Sequence, residues 1–237
     1  MVYIYQPSSP CATPSHGFVP FAQVLPSMQQ VPQIKMGLSR YVRTGKDASN
    51  YLARGSFGVV RLAIDTLTQQ LVAIKAQRLP DDAVERELLV HLSLLSHPHT
   101  NVIRMLDHFL EEREGLPPKL HMVMPLCDSN LGKVELPTPQ AQCFTEGLVA
   151  GVAHLHHLCI VHGDLSLANC LIDRGGTVRV ADFGAAHSAL GVLVPEERTT
   201  TYVRAPERWL GCSHDEAPVD VWAVGVIVLC LSKGFPG

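Results

Sequence analysis

Ile160-Val161-His162-Gly163-Asp164-Leu165-Ser166-Leu167-Ala168-Asn169-Cys170-Leu171 is the stretch on which the reading of this chain turns. Apolar pairs lead into and out of a turn carrying an acid, Asp164, and an amide, Asn169, five residues apart. Asp182-Phe183-Gly184 follows, thirteen residues after Asn169. Far upstream, Lys75 closes the apolar run Leu71-Val72-Ala73-Ile74. A lysine at the end of such a run is expensive to bury unpaired, so it calls for an anionic partner. A lysine, an acid, an amide and a second acid in this order suit gripping phosphate oxygens, accepting a hydroxyl proton and holding a divalent metal.

Seventeen residues before Lys75, Gly58 ends the string Leu52-Ala53-Arg54-Gly55-Ser56-Phe57-Gly58, which runs on into Val59-Val60. It reads as a glycine-rich hairpin whose N–H groups can close on phosphate oxygens without a Cβ in the way. Alone it reads more readily as an ordinary hairpin; with the three downstream strings it does not.

Taken together, residues from about 48 to Gly237 resemble a eukaryotic protein kinase. The resemblance implies Mg-ATP as cofactor and a protein hydroxyl as acceptor. It sets Lys75 on the α/β-phosphates, paired with Glu87 on the next helix, with Glu85 as the second candidate. Leu52, Ala53, Gly55, Ser56, Phe57 and Gly58 would cover the phosphates, and Val60, Ala73 and Leu171 would sandwich the base. Main-chain groups of Pro125 and Cys127 would face the adenine edge, with Met124 as gatekeeper. The same apolar residues also read simply as core. Asp164 would accept the hydroxyl proton, Asn169 and Asp182 would hold magnesium, and Thr200 would stand beside Asp164. Asp220, in Asp220-Val221-Trp222, would hold the catalytic loop by its backbone.

The departures carry as much weight. The family pattern has glycine where Ala53 stands, arginine at Gly163 and, in serine/threonine kinases, lysine at Ser166. Without the Gly163 arginine, activation by loop phosphorylation loses its usual clamp; Glu196 and Glu197 imitate phosphate but lack a matching arginine. Losing one charge-stabilising donor in a transition state typically costs roughly 3–4 kcal/mol, about 10²–10³ in rate. Arg204-Ala205-Pro206-Glu207 is similar to the cyclin-dependent and MAP-kinase-like group, which implies a proline-directed protein substrate.

Around the motifs, composition sets the frame. The 237 residues are 46% apolar and 17% charged, with a formal charge of -3. That is globular composition, and it argues against nucleic acid or an acidic membrane surface as partner. Seven cysteines without a CxxC pair fit reduced thiols in cytoplasm or nucleus. Residues 1–40 read as a Pro-rich flexible tail, since no charged residue occurs before Lys35 while prolines recur from Pro7 to Pro32.

Strand-like runs cover 59–64, 71–75, 102–110 and 120–124. A helix opening at Asp81 or Asp82 presents Leu88, Leu89, Leu92 and Leu95, a turn lies at Asp128-Ser129-Asn130, and helices cover 140–157 and 219–231. Strands first and helices later argue an α+β, two-lobed fold. The expected divisions are a kinase N-lobe at 48–126, an antiparallel sheet plus one helix, and a partial, mostly helical C-lobe at 127–237. The helices that follow Gly237 in the family would cover Trp222, Val226 and Val228, so either a partner covers that face or the chain is part of a longer one. Three readings result: an active serine/threonine kinase, a pseudokinase that binds nucleotide or a partner, and a fragment without independent activity.

Overall fold

Branched and small residues in Gly58–Asp65 (β3) and Gln70–Arg78 (β4) make two long strands. In the turn between them the Asp65 carboxylate accepts from Leu67 N and Thr68 Oγ1. This computed structural model describes residues 40–43, 51–55, 58–134, 138–188, 200–210 and 217–233. The Pro-rich tail, Ser56, Phe57, Glu196 and Glu197 lie outside the described residues.

Two short strands, Tyr41–Arg43 (β1) and Tyr51–Gly55 (β2), pair with opposite ends of β3. Beyond β4 lie Leu116–Pro125 (β6) and then Asp107–Arg113 (β5), so the antiparallel order is β1-β3-β4-β6-β5, with β2 also on β3. Arg40 pins the start of this sheet: its guanidinium donates to both Asp65 oxygens at 2.9 and 2.7 Å, while Tyr41 Oη donates to Asp107 at 2.8 Å. The bond from Arg40 holds the Asp65 carboxyl far below the usual range.

Helix α1 (Asp82–Leu95) begins where Asp81 caps it, accepting from Ala83 N at 2.8 Å. Its buried residues are Ala83, Val84, Glu87, Leu88, Val90, His91 and Leu94, while Leu95 is 47% exposed. Of the expected leucine stripe, Leu88 is buried, and Leu89 and Leu92 pack partly buried against the core. Leu95 is corrected, and two polar residues, Glu87 and His91, stand in the buried face. Two further expectations are revised. Residues 103–106 are not strand, because Val102 and Ile103 turn instead to the second lobe, where Ile103 N donates to Val180 O and Val180 N to Asn101 O. Asp128-Ser129-Asn130 is extended, not a turn, because Cys127–Asn130 (β7) pairs with Cys170–Asp173 (β9), which gives its backbone partners.

The second lobe packs Thr138–His157 (α2) and Ala217–Lys233 (α4) around β9 and Val178–Val180 (β10), with Pro206–Trp209 (α3) alongside. Ile160–Val161 (β8) pairs with His187–Ser188 (β11). Leu148, Leu155, Ile160, Val180 and Ile227 form its core. On α4, Val221, Trp222 and Leu229 are exposed, whereas Val226 and Val228 are half-buried. The fold is α+β: antiparallel sheet and one helix first, mostly helices after. No helix among the described residues is long and apolar enough to cross a membrane.

Candidate active site

Between the lobes lies a cleft of about 630 Å³. The β2–β3 hairpin contributes Leu52, Ala53, Gly58 and Val60 to its lining, and β4 contributes Ala73 and Lys75. Met124, Pro125 and Cys127 line it from the connection between the lobes; Asn169, Leu171 and Asp182 line it from the second lobe. Gly55 ends β2 opposite Gly58, whose φ is +132°. A Cβ on Gly58 would stand 2.5 Å from Ala76 O, so glycine is what lets the hairpin lie on β4.

Lys75 is 7% exposed and lies among carboxylates. Its Nζ donates to Glu87 Oε1 at 2.6 Å, Glu87 Oε2 at 2.7 Å and Asp182 Oδ1 at 2.8 Å. Gln77 Nε2 adds a bond to Glu87 Oε2 at 3.1 Å. Of the two candidate glutamates, then, Glu87 is the one on Lys75. Burial works against the Lys75 charge, but Glu87 and Asp182 together outweigh it and keep the ammonium above its usual pKa. Burial likewise pushes Asp182 up, and Lys75 more than reverses this, so Asp182 stays ionised. Asp182 sits in the left-handed region, φ 69° and ψ 78°, at the start of the Phe183–Ala185 turn, with Phe183 fully buried.

The catalytic-loop candidates gather on the other side of Asn169. Asn169 Nδ2 donates to Asp164 O at 2.8 Å, which leaves its side-chain oxygen free of any hydrogen bond among the described residues. Thr200 N donates to Asp164 Oδ1 at 2.6 Å, and the Thr200 hydroxyl donates to the same carboxylate. Burial raises the Asp164 pKa, with the Thr200 bonds working against it. The loop itself hangs on Asp220, whose buried carboxylate accepts from His162 N at 2.7 Å, Gly163 N at 2.9 Å and pairs with His156 Nε2 at 2.9 Å.

Two departures acquire a structural form. Gly163 has φ +78°, and a Cβ there would stand 2.7 Å from Ala185 O. Ser166 is 2% exposed and turned inward, its Oγ accepting from Asn169 N at 3.3 Å, so it caps a turn and does not face the cleft. Several cleft residues lie outside the strings that the sequence singles out: Ile103, Asn130 and Lys133. Their signal is topological: pairing with β9 brings the Cys127–Asn130 segment to the cleft, and the bond from Ile103 N to Val180 O brings Ile103 there.

Asn169 and Asp182 offer hard oxygen donors, an amide and a carboxylate, with no cluster of three or more metal-binding side chains among the described residues. That set suits magnesium, which takes one or two protein oxygens and completes its shell with phosphate and water.

A two-lobed α+β fold whose cleft sets a lysine between two carboxylates defines the protein kinase-like class. The chain belongs to the protein kinase family: residues 47–236 match the family described as protein kinase domain. Among curated relatives, cyclin-dependent kinase 10 of Homo sapiens is 31% identical over 209 residues, covering 83% of this chain and 57% of the relative. The Mus musculus and Bos taurus forms of cyclin-dependent kinase 10 are likewise 31% identical, with 57% and 56% of their lengths covered. The chain thus spans less than two thirds of the curated relatives it matches.

Proposed function

We propose that the chain transfers the γ-phosphoryl group of Mg-ATP to a serine or threonine hydroxyl of a protein. The observation that carries this reading is Lys75, held charged by Glu87 and Asp182 at the back of a cleft that also contains Asn169. In the proposed reaction the acceptor oxygen bonds to the γ-phosphorus, the bond from that phosphorus to the β–γ bridging oxygen breaks, and ADP leaves. Asp164 orients the hydroxyl and takes its proton, while Thr200 fixes the Asp164 carboxylate. Asn169 and Asp182 would hold magnesium, which when bound would supply charge neutralisation on the phosphates. Lys75 grips the α/β-phosphates; Leu52, Ala53, Gly55, Ser56, Phe57 and Gly58 cover them. Val60, Ala73 and Leu171 enclose the base, beside the backbone of Pro125 and Cys127 and the side chain of Met124.

Arg204 before Ala205-Pro206-Glu207 supports a proline-directed substrate, and the reading carries with it a place in cytoplasm or nucleus. The exposed Val221, Trp222 and Leu229 on α4 support a further protein surface, from a partner or a longer chain, over that face. A second reading, a pseudokinase that binds nucleotide or a partner without efficient turnover, draws on one observation: Ser166 faces inward and supplies no cation for the γ-phosphate. A third, a fragment without independent activity, draws on the length shared with the relatives.

The test is transfer of labelled γ-phosphate to a mixed Ser/Thr/Tyr peptide pool, wild type beside Asp164→Asn, on material that melts cooperatively. Label in the wild type, lost in the variant with ATP binding intact, is the expected result. Equal label in both, or none, would defeat the enzyme reading.

A further inference from the structure

The loop after Asp164 closes in a tight turn, where Asn169 N donates to Ser166 O at 3.1 Å. Leu167 is the second residue of that turn. Turns of this kind make no use of the N–H at their second position, and proline, which has none, is favoured there. Leu167 keeps the N–H, and the residue is only 7% exposed. A backbone donor taken out of water needs an acceptor. No backbone carbonyl among the described residues takes it. The Tyr202 phenol oxygen does, at 3.3 Å, from 35 residues along the chain.

We propose that Tyr202 is a positioning residue: its phenol oxygen holds the Leu167 N–H and so fastens the segment that carries Thr200 to the loop that carries Asp164 and Asn169. The segment then grips the loop at two points. Thr200 N reaches the Asp164 carboxylate at 2.6 Å, and Tyr202, two residues on, reaches the backbone just beyond Ser166. Asn169, two residues past Leu167, donates in turn to Asp164 O, so a loop slackened at Leu167 loosens both of these residues. Val203, buried in the core of the second lobe, anchors the segment from its other side. The consequence for phosphoryl transfer rests on the function proposed above; the tether itself does not.

The surroundings of the phenol suit an acceptor. Tyr202 is 54% exposed, so packing alone does little to fix its side chain. Burial raises its pKa above the ordinary value, Cys230, Cys170 and Asp164 push the same way, and the bond from Leu167 opposes them. The phenol is therefore neutral near pH 7 and keeps its lone pairs for the N–H. Tyr202 is not among the residues that line the nucleotide cleft, so changing it leaves the Lys75 side as it is.

The test is Tyr202→Phe, which removes the oxygen and nothing else, made both in the wild type and in Leu167→Pro, which removes the donor. Amide hydrogen exchange across residues 164–170 of the full chain reads the tether. Tyr202→Phe is expected to speed that exchange by roughly 5-fold in the wild-type background and to change nothing in the Leu167→Pro background. Transfer of labelled γ-phosphate reads the positioning: kcat is expected to fall by roughly 5-fold while KM for ATP holds. Exchange unmoved by Tyr202→Phe, or accelerated equally in both backgrounds, would overturn the tether. Faster exchange with an unchanged kcat would overturn the positioning role. If Leu167→Pro does not fold, the Leu167 amide followed by NMR decides: faster exchange in Tyr202→Phe supports the tether, and unchanged exchange overturns it. A wild type that transfers no phosphate would defeat the proposed function and leave the exchange result to judge the tether.

Discussion

The two sides of the cleft differ in how closely they keep to the family's pattern. Around Lys75 nothing is missing: the ammonium has Glu87 at 2.6 and 2.7 Å and Asp182 at 2.8 Å, with Gln77 supporting Glu87. Around Asp164 the acid and amide are present, but two flanking cations of the resemblance are replaced by Gly163 and Ser166. Gly163 fits where a Cβ would meet Ala185 O, and Ser166 is spent on capping a turn. Under the proposed function, the difference means that holding a nucleotide and stabilising its transfer would draw on separable sets of residues. In the first set every charged group is present, and Ala53 stands where the family pattern has glycine. The second keeps its proton acceptor and lacks part of its charge.

The strongest way to break this comparison is Lys75→Met. It removes the cation from between two carboxylates, and breaking a buried pair from one side typically costs about 3–5 kcal/mol. The expected outcome is a large fall in melting temperature together with loss of ATP binding by calorimetry. Unchanged ATP binding in a folded variant would mean that the Lys75 side is not the nucleotide-holding side. Next in size is Ser166→Lys, which returns the missing cation to the altered side once the longer side chain turns out of the buried site that the Ser166 hydroxyl fills. If charge is what that side lacks, transfer should rise by about 10²-fold, with ATP affinity nearly unchanged. A variant that melts like the wild type but transfers no faster would show that the deficit lies elsewhere.

Much of the fold was legible because it rests on local chemistry. Val59-Val60 and Leu71-Val72-Ala73-Ile74 are strand-forming runs around a polar turn, and Asp81 is an ordinary helix cap. What was not legible depends on distant partners. Val102 and Ile103 look like the start of a strand, yet their backbone partner is Val180, which no local pattern reveals. Asn130 looks like a turn residue until β9 arrives beside it. In α1 the periodicity misled for a chemical reason: Glu87 and His91 are polar residues on the buried face, so the stripe was read through Leu95 instead. Glu87 is there for Lys75. His91 has no such partner, and nothing in the sequence distinguishes a histidine of that kind from a solvated one.

The smallest expected effect locates the boundary between the two sides. Cys127 lines the cleft on the lobe connection, half-buried, while Cys143 on α2 is exposed and far along the chain. Burial pushes the Cys127 thiol up to about 11, with Arg179 pulling weakly the other way. Only the thiolate reacts, so alkylation of Cys127 should be slow near neutrality and rise by about tenfold per pH unit from about pH 8 towards 10. If adenine lies against this connection, Mg-ATP should slow that alkylation several-fold while Cys143 reacts as before, as read by peptide mapping. Protection of Cys127 that survives Ser166→Lys but is lost in Lys75→Met would tie base, phosphates and lysine into one binding unit, independent of the transfer machinery. Protection insensitive to Lys75→Met would instead detach the base site from the lysine, and the division between the two sides would have to be drawn through the cleft itself.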